Sequence, residues 1–367
     1  QMLPVNPVDK SAVYSPYSSS SGMAGNTLLI SPELMLAEGW LNDHDLKHCY
    51  LPATSHADFD KVAAIKTQLF DKAYQHFILS DDAVRQEFEQ FKAKEDYWLN
   101  NFALYQALKQ INNNKPWHQW PDAVKSRDGQ ALKKIAKQQA ETIDKGKWLQ
   151  YVISKQWQTL RAYALKKGIT LFGDMPFYVS YDSVDVWAHP QLFKLNKQLE
   201  ITGIAGVPPD YFSAEGQLWG MPVYNWEILK QQKYSWWLQR VRKNLEYFDL
   251  IRLDHFRAFA AYWEVPGGEQ TAVNGTWRPG PAADLFNKIK ADLGSLPFVA
   301  EDLGEIDEPV YQLRDKFGLP GMKVLQFAFG ADMPQSYHIP HNYPINSFAY
   351  TGTHDNNTLK GWYMQDV

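Results

Sequence analysis

Apolar positions along the chain follow two rhythms. Short, nearly continuous apolar runs occupy residues 2–5, 169–175, 249–256, 297–304, 322–329 and 348–355. A strand covered on both faces reads this way, because neither face has to offer polar side chains to water. Between the later runs the apolar residues recur with helical spacing, as at 282–293 and 308–317. Strand alternating with helix predicts parallel βαβ units. From about residue 58 to 167 the helical rhythm dominates, with segments at 83–94 and 96–110, a break at 117–121 and a resumption over 131–167. The charges there alternate in sign, which suits a solvated helical face better than a binding tail. Residues 180–226 carry Gly, Pro and many aromatics without a regular pattern and read as a long loop excursion.

The fold class this pattern predicts is α/β: a (β/α)8 TIM-type barrel in one domain spanning 1–367. Residues 20–167 would be a mostly helical insertion and 180–226 a loop insertion. A closed barrel needs eight strands, and six apolar runs are present. The first run starts directly after Gln1 and the last lies close to Val367, so the barrel is expected to be truncated at both ends, its first and last strands absent.

Composition narrows the function. A chain of 367 residues with 45% hydrophobic content can bury a large core, which excludes a disordered or fibrous protein. The net charge of −4 gives no electrostatic case for nucleic acid or an anionic membrane. No stretch approaches the roughly 18 apolar residues of a membrane span. Cys49 is the only cysteine, so no internal disulfide or cysteine-based zinc site can form, and a cytoplasmic, reducing setting is the simplest. Aromatic residues reach 14%, including 14 Trp and 20 Tyr. A large core accounts for many of them. Tryptophans set among Gly, Pro and polar neighbours also suit ligand platforms, and the apolar C–H faces of sugar rings pack on such surfaces.

The candidate chemistry sits where the apolar runs end. In Asp249-Leu250-Ile251-Arg252-Leu253-Asp254-His255-Phe256, alternation along a strand puts Arg252 and Asp254 on one face. Two charges in an apolar strand are costly unless they pair or act. A buried ion pair holding the fold together would explain them; so would a carboxylate kept ionised by the guanidinium, as a nucleophile requires. Three further runs end in acids: Gly173-Asp174-Met175, Ala300-Glu301-Asp302 and Thr353-His354-Asp355. Barrel enzymes build their sites at that strand end, and two carboxylates flanking a bond is the arrangement for glycoside cleavage. In a retaining scheme a second sugar can replace water, giving transfer in place of hydrolysis.

These segments resemble the four short regions of the α-amylase clan. The fuller set is similar to the amylomaltase (disproportionating enzyme) family, the 4-α-glucanotransferases of glycoside hydrolase family 77. Gly206-Val207-Pro208-Pro209-Asp210-Tyr211-Phe212 and Gly216-Gln217-Leu218-Trp219-Gly220-Met221-Pro222-Val223-Tyr224 resemble its glucan-covering loop and donor-side wall. Ser15-Pro16-Tyr17, Ala24-Gly25-Asn26 and Ile30-Ser31-Pro32-Glu33 resemble its N-terminal segment, and the likeness runs along nearly the whole chain. It implies Asp254 as nucleophile, Glu301 as general acid then base, and Asp355 as transition-state stabiliser. Arg252 would orient Asp254; His354 and Asp174 would bind sugar hydroxyls. Tyr17, Gln217 and Trp219 would line donor sites, and Asp210, Tyr211 and Phe212 the mobile cover. No cofactor is implied, and the expected partners are maltodextrins, maltose and glucose. Asn101-Phe102 stands where the family usually has Asp-Tyr, which bears on a peripheral contact.

Two rivals remain at this point: an α-glucan hydrolase of the same clan, and a glucan-binding protein without catalysis. A closing cover over 206–224 favours transfer because it excludes water, and the acids Asp254, Glu301 and Asp355 speak against a mere binder. His44 and His48 share helical spacing but have no third ligand nearby, so a surface pair explains them. His255 should face away from Asp254 unless the strand end twists.

Overall fold

The structure, a computed structural model, describes residues 1–47, 49–210, 213–330 and 332–365. Its strands are β1 (Phe172–Met175), β2 (Gly203–Val207), β3 (Gln217–Pro222), β4 (Leu250–Leu253), β5 (Ala261–Pro266), β6 (Thr276–Pro279), β7 (Phe298–Ala300), β8 (Gly321–Val324) and β9 (Ser347–Tyr350). β1, β4 and β7 pair in parallel with β4 in the middle, and β8 pairs in parallel with β9. The Ala300 N–H donates to Pro320 O at 2.8 Å, which ties β7 to the segment entering β8. The result is an arc of parallel strands with helices between them: Ser235–Tyr247 precedes β4, Ala282–Leu293 precedes β7 and Glu308–Lys316 precedes β8. This is an α/β fold, as the alternation of apolar runs predicts.

The register does the positioning. Asp174 lies beside Arg252, and Leu253 beside Ala300. Backbone bonds carry the ladder one step further: Asp254 N–H donates to Met175 O at 3.2 Å and Glu301 N–H to Leu253 O at 3.1 Å. The acids of three neighbouring strands therefore emerge together at one edge of the arc.

Three expectations need correction. Residues 2–5 are not a strand; Met2 N–H donates to Phe172 O at 2.9 Å beside β1, but Pro4 has no N–H with which to continue a ladder. The run at 322–329 ends its strand at Val324 and turns into a 3-10 segment, Leu325–Ala328. The supposed loop at 180–226 holds β2 and β3, which join β5 and β6 in an antiparallel sheet ordered β3-β2-β5-β6. Gly206 makes this pairing feasible, since a Cβ there would stand 2.3 Å from Gln217 O.

Residues 20–167 are largely helical, with Phe59–Phe77, Asp82–Lys94, Asp96–Ile111 and Ala140–Lys166 as the long members. Their apolar stripes form a core of Leu69, Phe70, Tyr74, Phe77, Phe88, Trp148 and Tyr151. No helix among the described residues is long and apolar enough to cross a membrane.

Behind β1, the Phe248 ring packs directly on Gly173, where a Cβ would meet ring carbons at 2.1 Å. Phe248 is fully buried and cannot retreat into solvent. Gly173→Ala should therefore destabilise the fold by about 1–3 kcal/mol, the usual cost of overpacking. A thermal melt would show it, and an unchanged midpoint would contradict this packing.

Candidate active site

Arg252 organises the strand ends. It is 4% exposed, and its Nη1 donates to both Asp174 oxygens at 2.9 Å and to Asp254 Oδ1 at 2.8 Å. Burial works against charge on the guanidinium, but the carboxylates of Asp174, Asp254 and Glu301 outweigh it and raise its pKa. The buried ion pair considered from sequence exists, with Asp174 as the buried partner. Asp254 is different: its side chain is 27% exposed and it faces a cavity.

That cavity, about 310 Å³, is lined by Tyr17, Ser18, Pro176, Tyr178, Trp219, Met221, Asp254 and His255. The aromatic rings of Tyr17, Tyr178 and Trp219 and one carboxylate converge on a space suited to a polar ring with apolar faces. Trp219 donates its Nε1–H to Gln217 Oε1 at 3.2 Å, as side chains two apart on β3 can.

Glu301 follows β7 and is held by two backbone amides. Its Oε2 accepts the His255 N–H at 2.7 Å and its Oε1 the Leu303 N–H at 3.3 Å. Burial pushes its pKa up to about 8; Arg252 and the amides oppose the shift, and the charge of Asp254 adds to it. Neighbouring Asp302 faces the other way and is structural, accepting from the Met322 N–H and Arg314.

Tyr17 links the third group. Its hydroxyl donates to Asp174 Oδ2 at 2.7 Å and lies 2.7 Å from His354 Nε2, while the two rings stack at 5.5 Å. Asp355 sits beyond, 3.4 Å from His354 Nε2 and 70% exposed. Asp174, read from the resemblance as a sugar-binding residue, is 1% exposed, with its oxygens on Arg252 and Tyr17. Asp210 lies outside the cavity lining and caps a turn, accepting the Ser213 N–H at 2.7 Å. Tyr211, Phe212 and His48 fall outside the described residues.

His255 departs from its expected orientation. The backbone there adopts φ 49°, so the strand does not continue and the ring enters the cavity beside Asp254. Pro176, Tyr178 and Met221 are further wall residues. Met221 is on the alternation with Gln217 and Trp219, a signal available in sequence; Tyr178 lies on irregular backbone and gives none.

An α/β fold whose strand ends present one carboxylate on a guanidinium and a second held protonated near neutrality belongs to the class of enzymes that break glycosidic bonds. Residues 1–367 match the family described as 4-alpha-glucanotransferase, glycoside hydrolase family 77, and the chain belongs to that family. It is 44% identical over 363 residues to a 4-alpha-glucanotransferase of Aquifex aeolicus, covering 99% of this chain and 73% of the relative. A Streptococcus pneumoniae protein of the same name is 42% identical over 355 residues, covering 96% and 70%. Among solved structures, the amylomaltase from Streptococcus agalactiae in complex with acarbose superposes with a TM-score of 0.94 at 39% identity, covering 99% of this chain and 73% of that one.

Because burial raises the Glu301 pKa from 4.5 to about 8, the folded state keeps a proton that the unfolded chain has released. Its contribution to stability is complete below about pH 4.5 and is lost as pH rises towards 8. Relative to Glu301→Gln, the wild-type chain should thus lose stability across that window. Melting both proteins from pH 4 to 9 checks the sign; parallel curves would contradict it.

Proposed function

We propose that this chain is a cofactor-free, retaining transglycosylase that moves α-1,4-glucan segments between maltodextrins. The observation that carries this reading is the contrast between two acids on adjacent strand ends: Asp254 on the Arg252 guanidinium, and Glu301 with its pKa raised to about 8. In the first displacement Asp254 attacks the anomeric carbon while the Glu301 carboxyl gives its proton to the departing glycosidic oxygen, leaving a glucosyl ester on Asp254. In the second, an acceptor hydroxyl forms its bond to that carbon, Glu301 takes the hydroxyl proton and Asp254 leaves as carboxylate. Two inversions give net retention.

Arg252 keeps Asp254 ionised, and Asp174 holds Arg252 and Tyr17 in place. Tyr17, His354 and Asp355 form a polar rim for sugar hydroxyls, with Asp355 stabilising the oxocarbenium-like transition state. Trp219 forms part of the wall with Gln217 bonded behind its indole, and Asp210 lies on the segment that would cover the site and keep water from the ester. Maltose and glucose would be the small products and acceptors. The parallel arc is read as part of a (β/α)8 barrel, and the lone Cys49 suits a cytoplasmic setting.

Incubation with maltotriose should give a ladder of longer dextrins plus glucose, whereas shortening alone would favour hydrolysis and sink the transfer reading. Glu301→Gln should lower the rate by about 10²–10⁴-fold, the range for a general acid–base. Wild-type kcat/KM should fall as pH rises through about 8. An unchanged rate in the Gln variant would remove Glu301 from its role.

A further inference from the structure

Arg240 is a buried cation that takes no part in the chemistry described above. It lies on the helix Ser235–Tyr247, which leads through the buried Phe248 towards β4. A guanidinium withdrawn from water is costly unless its donors are used. Its Nη2 donates to Pro176 O at 2.6 Å, and its Nη1 to Phe177 O at 3.1 Å and the Tyr224 hydroxyl at 3.3 Å. The Tyr224 hydroxyl in turn donates to Phe177 O at 2.8 Å. The rings of Trp236 and Trp237 lie 5.5 and 5.3 Å from the guanidinium carbon and favour its charge.

The place of these bonds gives them a use. β1 ends at Met175, so the carbonyls of Pro176 and Phe177 lie beyond the ladder and need donors from elsewhere. Arg240 and Tyr224 supply them. Pro176 lines the cavity, and so does Tyr178, the residue after Phe177. At its Nε edge Arg240 meets the N-terminal loop, where a Cβ on Gly22 would stand 3.0 Å away. That loop is fixed by the Gly22 N–H, which donates to the buried Asp185 at 2.7 Å, and by Ser20 O, which accepts the Val184 N–H at 2.9 Å. It carries Tyr17 and Ser18 to the same cavity, whose lining does not include Arg240. Arg240 therefore sits behind the seam of two cavity walls and touches both.

Resting on the proposed transfer chemistry, we propose that Arg240 is a positioning residue for sugar binding: it holds the backbone after β1 against the loop of Tyr17 and so sets the spacing of Pro176 and Tyr178 from Tyr17 and Ser18. The acids have supports of their own. Asp254 is held by Arg252, and Glu301 by the amides of His255 and Leu303. Loss of Arg240 thus loosens the grip on the sugar and leaves the proton transfers in place. Lysine cannot replace it, because a single ammonium lacks the planar fork that reaches two carbonyls and a hydroxyl together.

Arg240→Lys should raise the maltotriose KM about tenfold while kcat changes by less than about threefold. The fall in kcat/KM near pH 8, set by Glu301, should stay where it is. Tyr224→Phe deletes one hydroxyl from a ring that stays packed, and should raise KM about threefold. Adding either substitution to Glu301→Gln should weaken maltotriose binding by the same factors in calorimetry, which reads the walls without turnover. A purely structural role would lower the folded fraction, cutting kcat and the melting temperature with KM and the dissociation constant unmoved, and that result would overturn the inference. If Arg240→Lys does not fold, Tyr224→Phe decides alone: wild-type KM and binding there overturn it equally. If the wild-type protein neither binds maltotriose nor lengthens it, the proposed function fails; if it does both and the variants match it, only this inference fails.

Discussion

Arg252 lies almost wholly out of water, between a buried aspartate on one strand and a cavity-facing aspartate two residues along its own. A guanidinium buried alone would be prohibitively costly, and so would Asp174. Each makes the other tolerable, and the β1–β4 register brings them side by side without distortion. Asp254 then meets a charge already fixed in place, so its carboxylate is oriented before any ligand arrives. Tyr17 leans on the same Asp174, which links the polar rim to the same pair. Glu301 belongs to the arrangement by contrast: it receives backbone amides and burial in place of a direct guanidinium bond, and so holds its proton when Asp254 is ion-paired.

The parallel strands and their terminal acids are legible in sequence because burial on both faces leaves little but apolar residues until the chain reaches the edge. Asp254, Glu301 and Arg252 are visible as charges breaking such runs. The antiparallel sheet is not legible, since Gly203–Val207 and Thr276–Pro279 lack regular alternation and one depends on a glycine approach to another backbone. The orientation of His255 is also hidden: a single positive φ reverses the side that strand periodicity assigns. Asp174 shows a third kind of limit. Its position at a strand end is evident, yet only the side-by-side register reveals that its oxygens are taken.

The abundance of tryptophan divides between two uses. Trp117, Trp148, Trp187 and Trp237 are fully buried and hold the helices and strands together. Trp219 stands at the cavity with Met221, two residues further along the same strand, and Gln217 accepts its indole N–H. Composition therefore overstates the binding surface, while residue-by-residue context identifies the ring that matters. Phe102, which stands in place of the family's usual tyrosine, is buried in the core, and Asn101 accepts from Arg127. That departure is absorbed by packing at a distance from the carboxylates.

The bridge through Tyr17 spans a great length of chain, from Asp174 at a sequence separation of 157 to His354 at 337. Asp254 and Glu301 require only the neighbouring strands β4 and β7, and the bond from His255 to Glu301 spans a separation of just 46. The polar rim, by contrast, closes only when the loop that carries Tyr17 meets the segment after β9 that carries His354. Contacts of such separation carry a high loop-closure cost and form late. The nascent chain can thus assemble its paired acids well before it has a complete place for a sugar to bind.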